Sequence, residues 1–140
     1  MAIIISKATE KEASVVSEKS WREIDIEHYG EPVEWNIEEF YFIATEDGKI
    51  VGKIEGKCEA GVVFIDSVIV VKNKRGIGIG KKLVEAVETF GKRLKAHKIF
   101  LFTMEQWDAS NFYEGLGYIQ SGILPKHYLK RDFVIYSKML

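Results

Sequence analysis

The segment with the clearest capacity for chemistry is a glycine-rich turn at residues 75–81, which reads Arg-Gly-Ile-Gly-Ile-Gly-Lys. Glycine lets a backbone turn tightly and approach a ligand closely. A helix that begins here would add N–H groups with no intrahelical acceptor and the positive end of its dipole. Such a turn is typical of a phosphate-binding site.

Two common nucleotide-binding motifs do not match this turn. The P-loop pattern Gly-x-x-x-x-Gly-Lys-[Ser/Thr] would need glycine at Arg75 and a hydroxyl residue at Lys82. The dinucleotide pattern Gly-x-Gly-x-x-Gly fails because its last position falls on Lys81 or Leu83. The pattern that fits is Arg-x-x-Gly-x-Gly, which begins at Arg75 and ends at Gly80.

A second candidate segment lies at residues 106–118 and reads Gln-Trp-Asp-Ala-Ser-Asn-Phe-Tyr-Glu-Gly-Leu-Gly-Tyr. The phenol of Tyr113 has an ordinary pKa of about 10, so it can donate a proton without carrying a charge. The alternative is that the Tyr113 ring only fills space in the core. The sequence favours Tyr113 as a general acid and leaves open that its ring only packs in the core.

Apolar periodicity predicts the elements that position these two segments. Residues 62–71 are almost wholly apolar, which is typical of a central strand covered on both faces. Residues 78–94 repeat apolar positions at three- and four-residue steps, as an amphipathic helix does. Residues 99–103 form another apolar run, and a right-handed crossover would make the two strands parallel.

The rest of the chain predicts further short elements around this unit. Thr9 and Glu12 have the spacing of a capping box at the start of a helix that ends at about His28. Residues 40–45 and 50–59 flank a turn and predict a hairpin. The remaining predicted elements are strands at residues 2–7, 118–124 and 132–138 and a short helix at residues 108–115.

Composition limits the class of protein. A chain of 140 residues predicts one domain over residues 1–140, and 46% hydrophobic with 29% charged residues is typical of a globular protein. Apolar runs are too short to span a bilayer, and a single cysteine, Cys58, cannot form an internal disulfide, so we expect a cytoplasmic protein without a membrane partner. A pI near 6.3 and the lack of a nucleic-acid motif argue against a nucleic-acid partner.

The two motifs together resemble the GCN5-related N-acetyltransferase (GNAT) superfamily. The first resembles the family's pyrophosphate-binding turn, and the second resembles its signature Asn-x-x-Ala-x-x-[Leu/Phe]-Tyr, with Gln106 where asparagine is usual. The resemblance implies an α/β (α+β) fold whose mixed, mostly antiparallel sheet has about seven strands, with parallel central strands 4 and 5, flanked by about four helices. It also implies acetyl-CoA as cofactor.

The resemblance further implies residue roles. Tyr113 is the expected general acid. Residues expected to contact acetyl-CoA are Val68, Ile69, Val70, Arg75, Gly76, Ile77, Gly78, Ile79, Gly80, Lys81, Gln106 and Tyr113.

An N-acetyltransferase needs a neutral acceptor amine, and Asp66 is the first candidate for the base that removes its proton. It interrupts an apolar run, and a buried carboxylate there would be costly without a role or a partner. The alternative is that Asp66 faces solvent or bonds a neighbouring strand. Glu55 and Glu105 are weaker candidates for the base, and we expect Cys58 to be inert.

Charge and aromatic residues suggest what the acceptor is. Residues 1–70 carry a net charge of −8 and residues 71–140 one of +7. Acidic and aromatic groups in residues 21–35 suit a cationic amine, although a solvated helix face would show the same pattern. Candidate acceptor-binding residues are Trp21, Tyr29, Glu55 and His127.

The leading prediction is an N-acetyltransferase that acts on a primary amine of a small molecule. Two alternatives stay open, namely an enzyme that acetylates peptide or protein N-termini and a non-catalytic acyl-CoA-binding module. No His or Cys cluster has metal-ligand spacing, so no metal is expected. The family resemblance also allows a homodimer.

Overall fold

A computed structural model describes residues 1–107 and 109–140, which divide into two units, Met1–Trp35 and Asn36–Leu140. One domain over residues 1–140 stays a prediction. No helix in the described part of the chain is both long and apolar enough to cross a membrane.

The first unit contains one helix, α1 (Glu10–Tyr29). The predicted capping box is present, because the Thr9 hydroxyl accepts from the backbone N–H of Glu12 and the Glu12 carboxylate accepts from that of Thr9. The helix ends at Gly30, whose φ of 83° gives the left-handed conformation that glycine adopts without strain. The predicted helix is therefore confirmed. Its last residue is Tyr29, and Gly30 is its C-cap.

The predicted strand at residues 2–7 is wrong. Residues 2–7 have no regular secondary structure, and Ile3, Ile4 and Ile5 are 85–90% exposed. High strand propensity did not suffice, because a strand is stabilised by a paired neighbour and a buried face.

The second unit is a mixed sheet of six strands among the residues described, in the order β1-β2-β3-β4-β6-β5. The elements of this unit are β1 (Glu38–Glu46), β2 (Lys49–Glu59), β3 (Val62–Val70), α2 (Ile79–Arg93), β4 (Lys98–Met104), α3 (Ala109–Gly115), β5 (Ile119–Leu124) and β6 (Phe133–Met139). Two short 3₁₀ turns span Lys72–Lys74 and Tyr128–Lys130. The described residues form six strands and three α-helices where about seven and about four were expected, and the fold class is as predicted.

The predicted hairpin and crossover are both present. β1 and β2 pair in antiparallel fashion around a turn whose Asp47 and Gly48 have φ values of 50° and 78°. β3 and β4 are parallel and α2 connects them, which confirms the predicted parallel central strands. The predicted start of the next helix, Asp108, lies outside the described residues.

The core lies between α2 and one face of the sheet. Val84 and Val87 of α2 are fully buried, as are Val63 of β3 and Ile99 of β4. Each such side chain stabilises the fold by about 1.5–3 kcal/mol through removal of apolar surface from water. The apolar stripe predicted for residues 78–94 is therefore the buried face of α2.

The two central strands diverge beyond their first residues. Their parallel pairs are Val62 with Lys98, Val63 with Ile99 and Phe64 with Phe100, whereas β3 continues to Val70. The expectation that both faces of β3 are covered is wrong past Ile65, because Asp66 and Ile69 are exposed. This divergence opens the space in which the candidate site lies.

Candidate functional site

A cleft of about 1020 Å³ lies where β3 and β4 diverge. Its size is at the upper end of typical small-molecule sites. Three parts of the chain form its wall, which are the end of β3, the glycine-rich turn and α3. The lining residues are Val68, Ile69, Val70, Lys74, Arg75, Gly76, Gly78, Gly80, Lys81, Trp107, Ala109, Asn111, Phe112, Tyr113, Gly115 and Leu116.

The glycine-rich turn presents backbone N–H groups to this cleft. Gly76 and Gly78 have φ values of 79° and 92°, which a residue with a side chain rarely adopts, and a Cβ at either position would meet nothing within 4 Å. The first backbone bond of α2 runs from the N–H of Lys82 to the carbonyl of Gly78. The preceding N–H groups of the helix therefore have no intrahelical acceptor and can bind an anion.

Side chains fix this turn against the sheet. Arg75 donates its Nε–H to the carbonyl of Val70 at 2.9 Å, which ties the turn to the end of β3. Lys74 forms an ion pair with Glu46 at 2.6 Å, which ties it to β1. Together with Lys81, these residues place three cationic groups on the cleft wall. Their charge and the helix dipole both favour a phosphate group there.

The open edge of β3 supplies the second wall. On one side Val68, Ile69 and Val70 pair with β2. On the other side no described residue of β4 pairs with them, because the parallel ladder ends at Phe64. Apart from the Val70 carbonyl, which accepts from Arg75, backbone groups on that side are therefore available to an extended polar ligand.

Tyr113 of α3 forms the third wall. Its side chain is only 6% exposed, and the rings of Phe112, Tyr118 and Tyr136 lie 4.9, 5.7 and 6.1 Å from its ring centroid. Burial raises the pKa of the Tyr113 phenol to about 12, because the phenolate would be poorly solvated. The phenol therefore stays protonated at neutral pH and can act as a donor. The ring is packed in the core and also borders the cleft, and the role of Tyr113 as general acid stays a prediction.

Asp66 lies at a β-bulge instead of in the core. Glu55 pairs with Ser67 and Gly56 with Ile65, so Asp66 is the extra residue of β3. The Asp66 side chain is exposed, so the burial cost that singled it out in the sequence is absent. Its role as base stays a prediction.

Asp66 instead lines a second, smaller pocket of about 310 Å³ on the sheet. Glu39 and Glu55 also line it, and Tyr41 donates its hydroxyl to the Glu39 carboxylate at 2.8 Å. Glu55 accepts from Lys53 at 2.9 Å. The lining also contains Lys57, which pairs with Glu59, so three carboxylates and one ammonium line the pocket. This excess of negative charge beside aromatic rings favours a cationic group.

Not every predicted cofactor residue reaches the large cleft. Ile77, Ile79 and Gln106 are not among the described residues that line it. Ile79 packs against the core, whereas Ile77 and Gln106 are exposed. The side chains of these three residues are therefore placed away from the wall, although Ile77 and Ile79 remain part of the turn's backbone.

The predicted acceptor residues are spread over both units. Trp21 and Tyr29 lie on α1 and are 58% and 62% exposed. Glu55 is in the small pocket. The His127 ring contacts those of Tyr128 and Phe133, and its Nε2 is buried with no hydrogen-bond partner among the described residues.

The sequence did not single out several residues of the cleft wall. Lys74, Trp107, Asn111, Phe112 and Leu116 all line it. The available signal within α3 was the spacing of Ala109, Phe112 and Tyr113, which are three and four residues apart and fall on one helical face. In the described part of the chain, no three His, Cys, Asp or Glu side chains are grouped so as to hold a metal ion.

Comparison with known families gives one match that covers most of the chain. The profile of the Acetyltransferase (GNAT) family matches residues 10–118. An uncharacterized N-acetyltransferase from Methanocaldococcus jannaschii is 31% identical over 90 residues, which cover 63% of this chain. The match spans 58% of the length of that relative.

Solved structures share the fold. An acetyltransferase from Bacillus cereus matches with a TM-score of 0.80 and 23% identity over 99% of this chain and 98% of its own. Arabidopsis thaliana Naa50, solved with the bisubstrate analogue CoA-Ac-MVNAL, matches with a TM-score of 0.66 and 27% identity over 71% of this chain and 72% of its own.

Proposed function

Because this chain belongs to the Acetyltransferase (GNAT) family, we propose that it transfers the acetyl group of acetyl-CoA to a primary amine of a small molecule. The observation that carries the proposal is the cleft, in which the glycine-rich turn, the open edge of β3 and the Tyr113 side chain border one volume. Transfer is direct, with both substrates bound together.

The cleft suits two parts of acetyl-CoA, its pyrophosphate and its pantetheine arm. The N–H groups that open α2, with Lys74, Arg75 and Lys81 nearby, suit its pyrophosphate. The unpaired edge of Val68 to Val70 suits the amide groups of its pantetheine arm. The open positions at Gly76 and Gly78 leave room for such a ligand to approach the backbone.

Acetyl-CoA supplies a thioester, whose carbonyl carbon bonds to the amine nitrogen while its carbon–sulfur bond breaks. Tyr113 donates a hydrogen bond, and then its proton, to the departing sulfur. With a pKa of about 12, the phenol donates weakly compared with an ideal acid at pH 7, so the hydrogen bond supplies most of its effect. The nitrogen loses a further proton to solvent as the amide forms, and solvent returns a proton to Tyr113 after release.

The acceptor amine must lose a proton to become nucleophilic. Asp66 accepts it, directly or through water, since its exposed carboxylate lies two residues before Val68 on β3. Glu39 and Glu55 share its pocket and attract a cationic amine before it is deprotonated. His127 is the further acceptor-binding residue of the second unit that we propose, whereas Trp21 and Tyr29 of the first unit stay predictions.

A peptide N-terminus is the second candidate acceptor. It is favoured by the likeness to Naa50, whose bisubstrate analogue joins CoA, an acetyl group and the peptide MVNAL, at 27% identity. A peptide α-amine has an ordinary pKa of about 7.7–8.0, well below that of a lysine-like amine, so it needs less help from a base.

Thiol release from acetyl-CoA would test both candidates across polyamines, aminoglycosides, amino acids and short peptides, beside calorimetric binding of acetyl-CoA. Turnover with a small amine supports the first candidate, and turnover only with peptides supports the second. Tight binding of acetyl-CoA without turnover on any amine would favour a binding module. Absence of binding would contradict the assignment of the cleft.

A further inference from the structure

Two tyrosine rings pack against the Tyr113 ring. The ring of Tyr136 on β6 stacks on it with an interplanar angle of 27°, and the ring of Tyr118 meets it edge-on at 67°. Tyr118 and Tyr136 are each 2% exposed. The position of Tyr113 therefore depends on where these two rings are fixed.

Each of the two supporting rings is fixed by a carboxylate. Tyr118 donates its hydroxyl to Glu88 of α2 at 3.1 Å, and Tyr136 donates its hydroxyl to Glu114 of α3 at 3.3 Å. Burial, followed by the nearby Glu88, raises the pKa of Tyr118, so its hydroxyl remains a donor at neutral pH.

Lys138 of β6 connects this support to α3. Its ammonium donates to both carboxylate oxygens of Glu88, at 3.1 and 3.2 Å, and to the carbonyl of Leu116 at 2.9 Å. It also lies 5.5 Å from the centroid of the Tyr118 ring. One ammonium thus joins α2, β6 and the residue that follows α3.

Backbone bonds carry this restraint to Tyr113 itself. The carbonyl of Tyr113 accepts from the N–H groups of Leu116 and Tyr118, both at 3.0 Å. Since Lys138 fixes the carbonyl of Leu116 and Glu88 fixes the hydroxyl of Tyr118, both residues that bond Tyr113 are themselves restrained.

We infer that Glu88 and Lys138 are positioning residues for Tyr113, which orient its phenol toward the cleft without touching a substrate. This inference rests on the proposed function of Tyr113. A largely buried ion pair such as this one, with side chains 12% and 31% exposed, adds little net stability compared with apolar packing. The pair takes part in four hydrogen bonds, three donated by Lys138 and one donated to Glu88 by Tyr118. These bonds are suited to selecting one arrangement of the rings.

The inference can be tested on the full chain without acetyl-CoA. 3-Fluorotyrosine is incorporated, and the ¹⁹F resonance of Tyr113 is assigned as the one missing from the Tyr113→Phe variant. In Lys138→Met we expect this resonance to move toward that of free 3-fluorotyrosine and to become accessible to a soluble paramagnetic agent. Lys92→Met, which removes an exposed lysine from the last turn of α2, is the matched control and should leave the resonance in place.

Kinetics give the second readout. Lys138→Met should lower kcat about tenfold with an unchanged KM for acetyl-CoA, because a misoriented acid affects the transition state and not cofactor binding. Lys138→Arg, which keeps the charge, should recover most of kcat. In a Tyr113→Phe background, Lys138→Met should have no further effect on kcat.

Glu88→Gln protects the test against a variant that does not fold. It keeps an acceptor for Tyr118 but loses the ion pair, so it should shift the same ¹⁹F resonance by a smaller amount. An unmoved resonance in both Lys138→Met and Glu88→Gln would overturn the inference, as would an equal loss of kcat with and without the Tyr113 hydroxyl. If Tyr113→Phe keeps full kcat, the proposed acid role is wrong, and the resonance alone decides whether the pair positions the ring.

Discussion

Gly56 of β2, which pairs with Ile65 of β3, lies so close to the neighbouring Phe64 that no β-carbon fits between Gly56 and the carbonyl of Phe64. The Phe40 ring closes the site further, since its Cζ would lie 2.8 Å from that β-carbon. This approach occurs at the bulge that contains Asp66. The bulge and the glycine therefore form one structural unit.

Gly56→Ala should destabilise the protein by about 2–4 kcal/mol, because the added methyl must displace backbone at a site that cannot yield cheaply. Chemical denaturation, read as the free energy of unfolding, measures the loss. Gly48→Ala in the hairpin turn is the comparison, where a φ of 78° and open surroundings predict a cost of about 1 kcal/mol. Equal effects of the two substitutions would contradict the crowding at Gly56.

Gly78→Ala should raise the Kd for acetyl-CoA about tenfold or more. The φ of 92° resists an alanine, and a methyl would project into the space from which the turn's N–H groups approach a ligand. Calorimetry measures the Kd. Gly48→Ala again serves as the control, because it shares the positive φ and lies outside the cleft. A Kd that rises equally in both would attribute the effect to general destabilisation.

Tyr113→Phe should lower kcat about 10- to 100-fold while KM for acetyl-CoA changes little, since general acids contribute about 10²-fold or more and this one has a high pKa. Initial rates of thiol release measure both constants. Tyr128→Phe, which keeps the ring of an exposed residue outside both pockets and removes only its hydroxyl, tests whether loss of any phenol has the same effect. Unchanged turnover in Tyr113→Phe would contradict the acid role.

Alkaline pH should destabilise the fold through Tyr113. Its folded pKa of about 12 exceeds the ordinary value of 10.0, so the folded state retains a proton that the unfolded chain loses. Stability is therefore full below pH 10 and falls by about 1.4 kcal/mol per pH unit as pH rises from 10 toward 12. Urea unfolding at pH 9 and pH 11 measures the fall, which should be smaller in Tyr113→Phe. A difference in the opposite direction would show that burial does not raise this pKa.

Much of the fold could be predicted because local patterns and long-range packing agree. The repeat in residues 78–94 gave α2, and the spacing of Thr9 and Glu12 gave the start of α1. Residues 2–7 show where this fails, since a run of isoleucines has strand propensity whether or not a partner strand is placed beside it.

The candidate site could be predicted only in its local parts. Arg75 to Gly80 lie next to one another in sequence, so their spacing was enough to identify the turn. The bulge at Asp66 depends on the register of β2 against β3, which no window of sequence reports. Likewise, Glu88 and Lys138 are 50 residues apart and meet only through the tertiary fold.

The short parallel ladder between β3 and β4 has a consequence for local unfolding. Three residue pairs, ending at Phe64 and Phe100, join the β1-β2-β3 half of the sheet to the β4-β6-β5 half. Because so few pairs join them, the two halves should open as separate cooperative units, which would give two classes of amide hydrogen-exchange rate. A ligand that bridges β3 and α3 would merge these classes into one, so that occupancy of the cleft sets how cooperatively the domain unfolds.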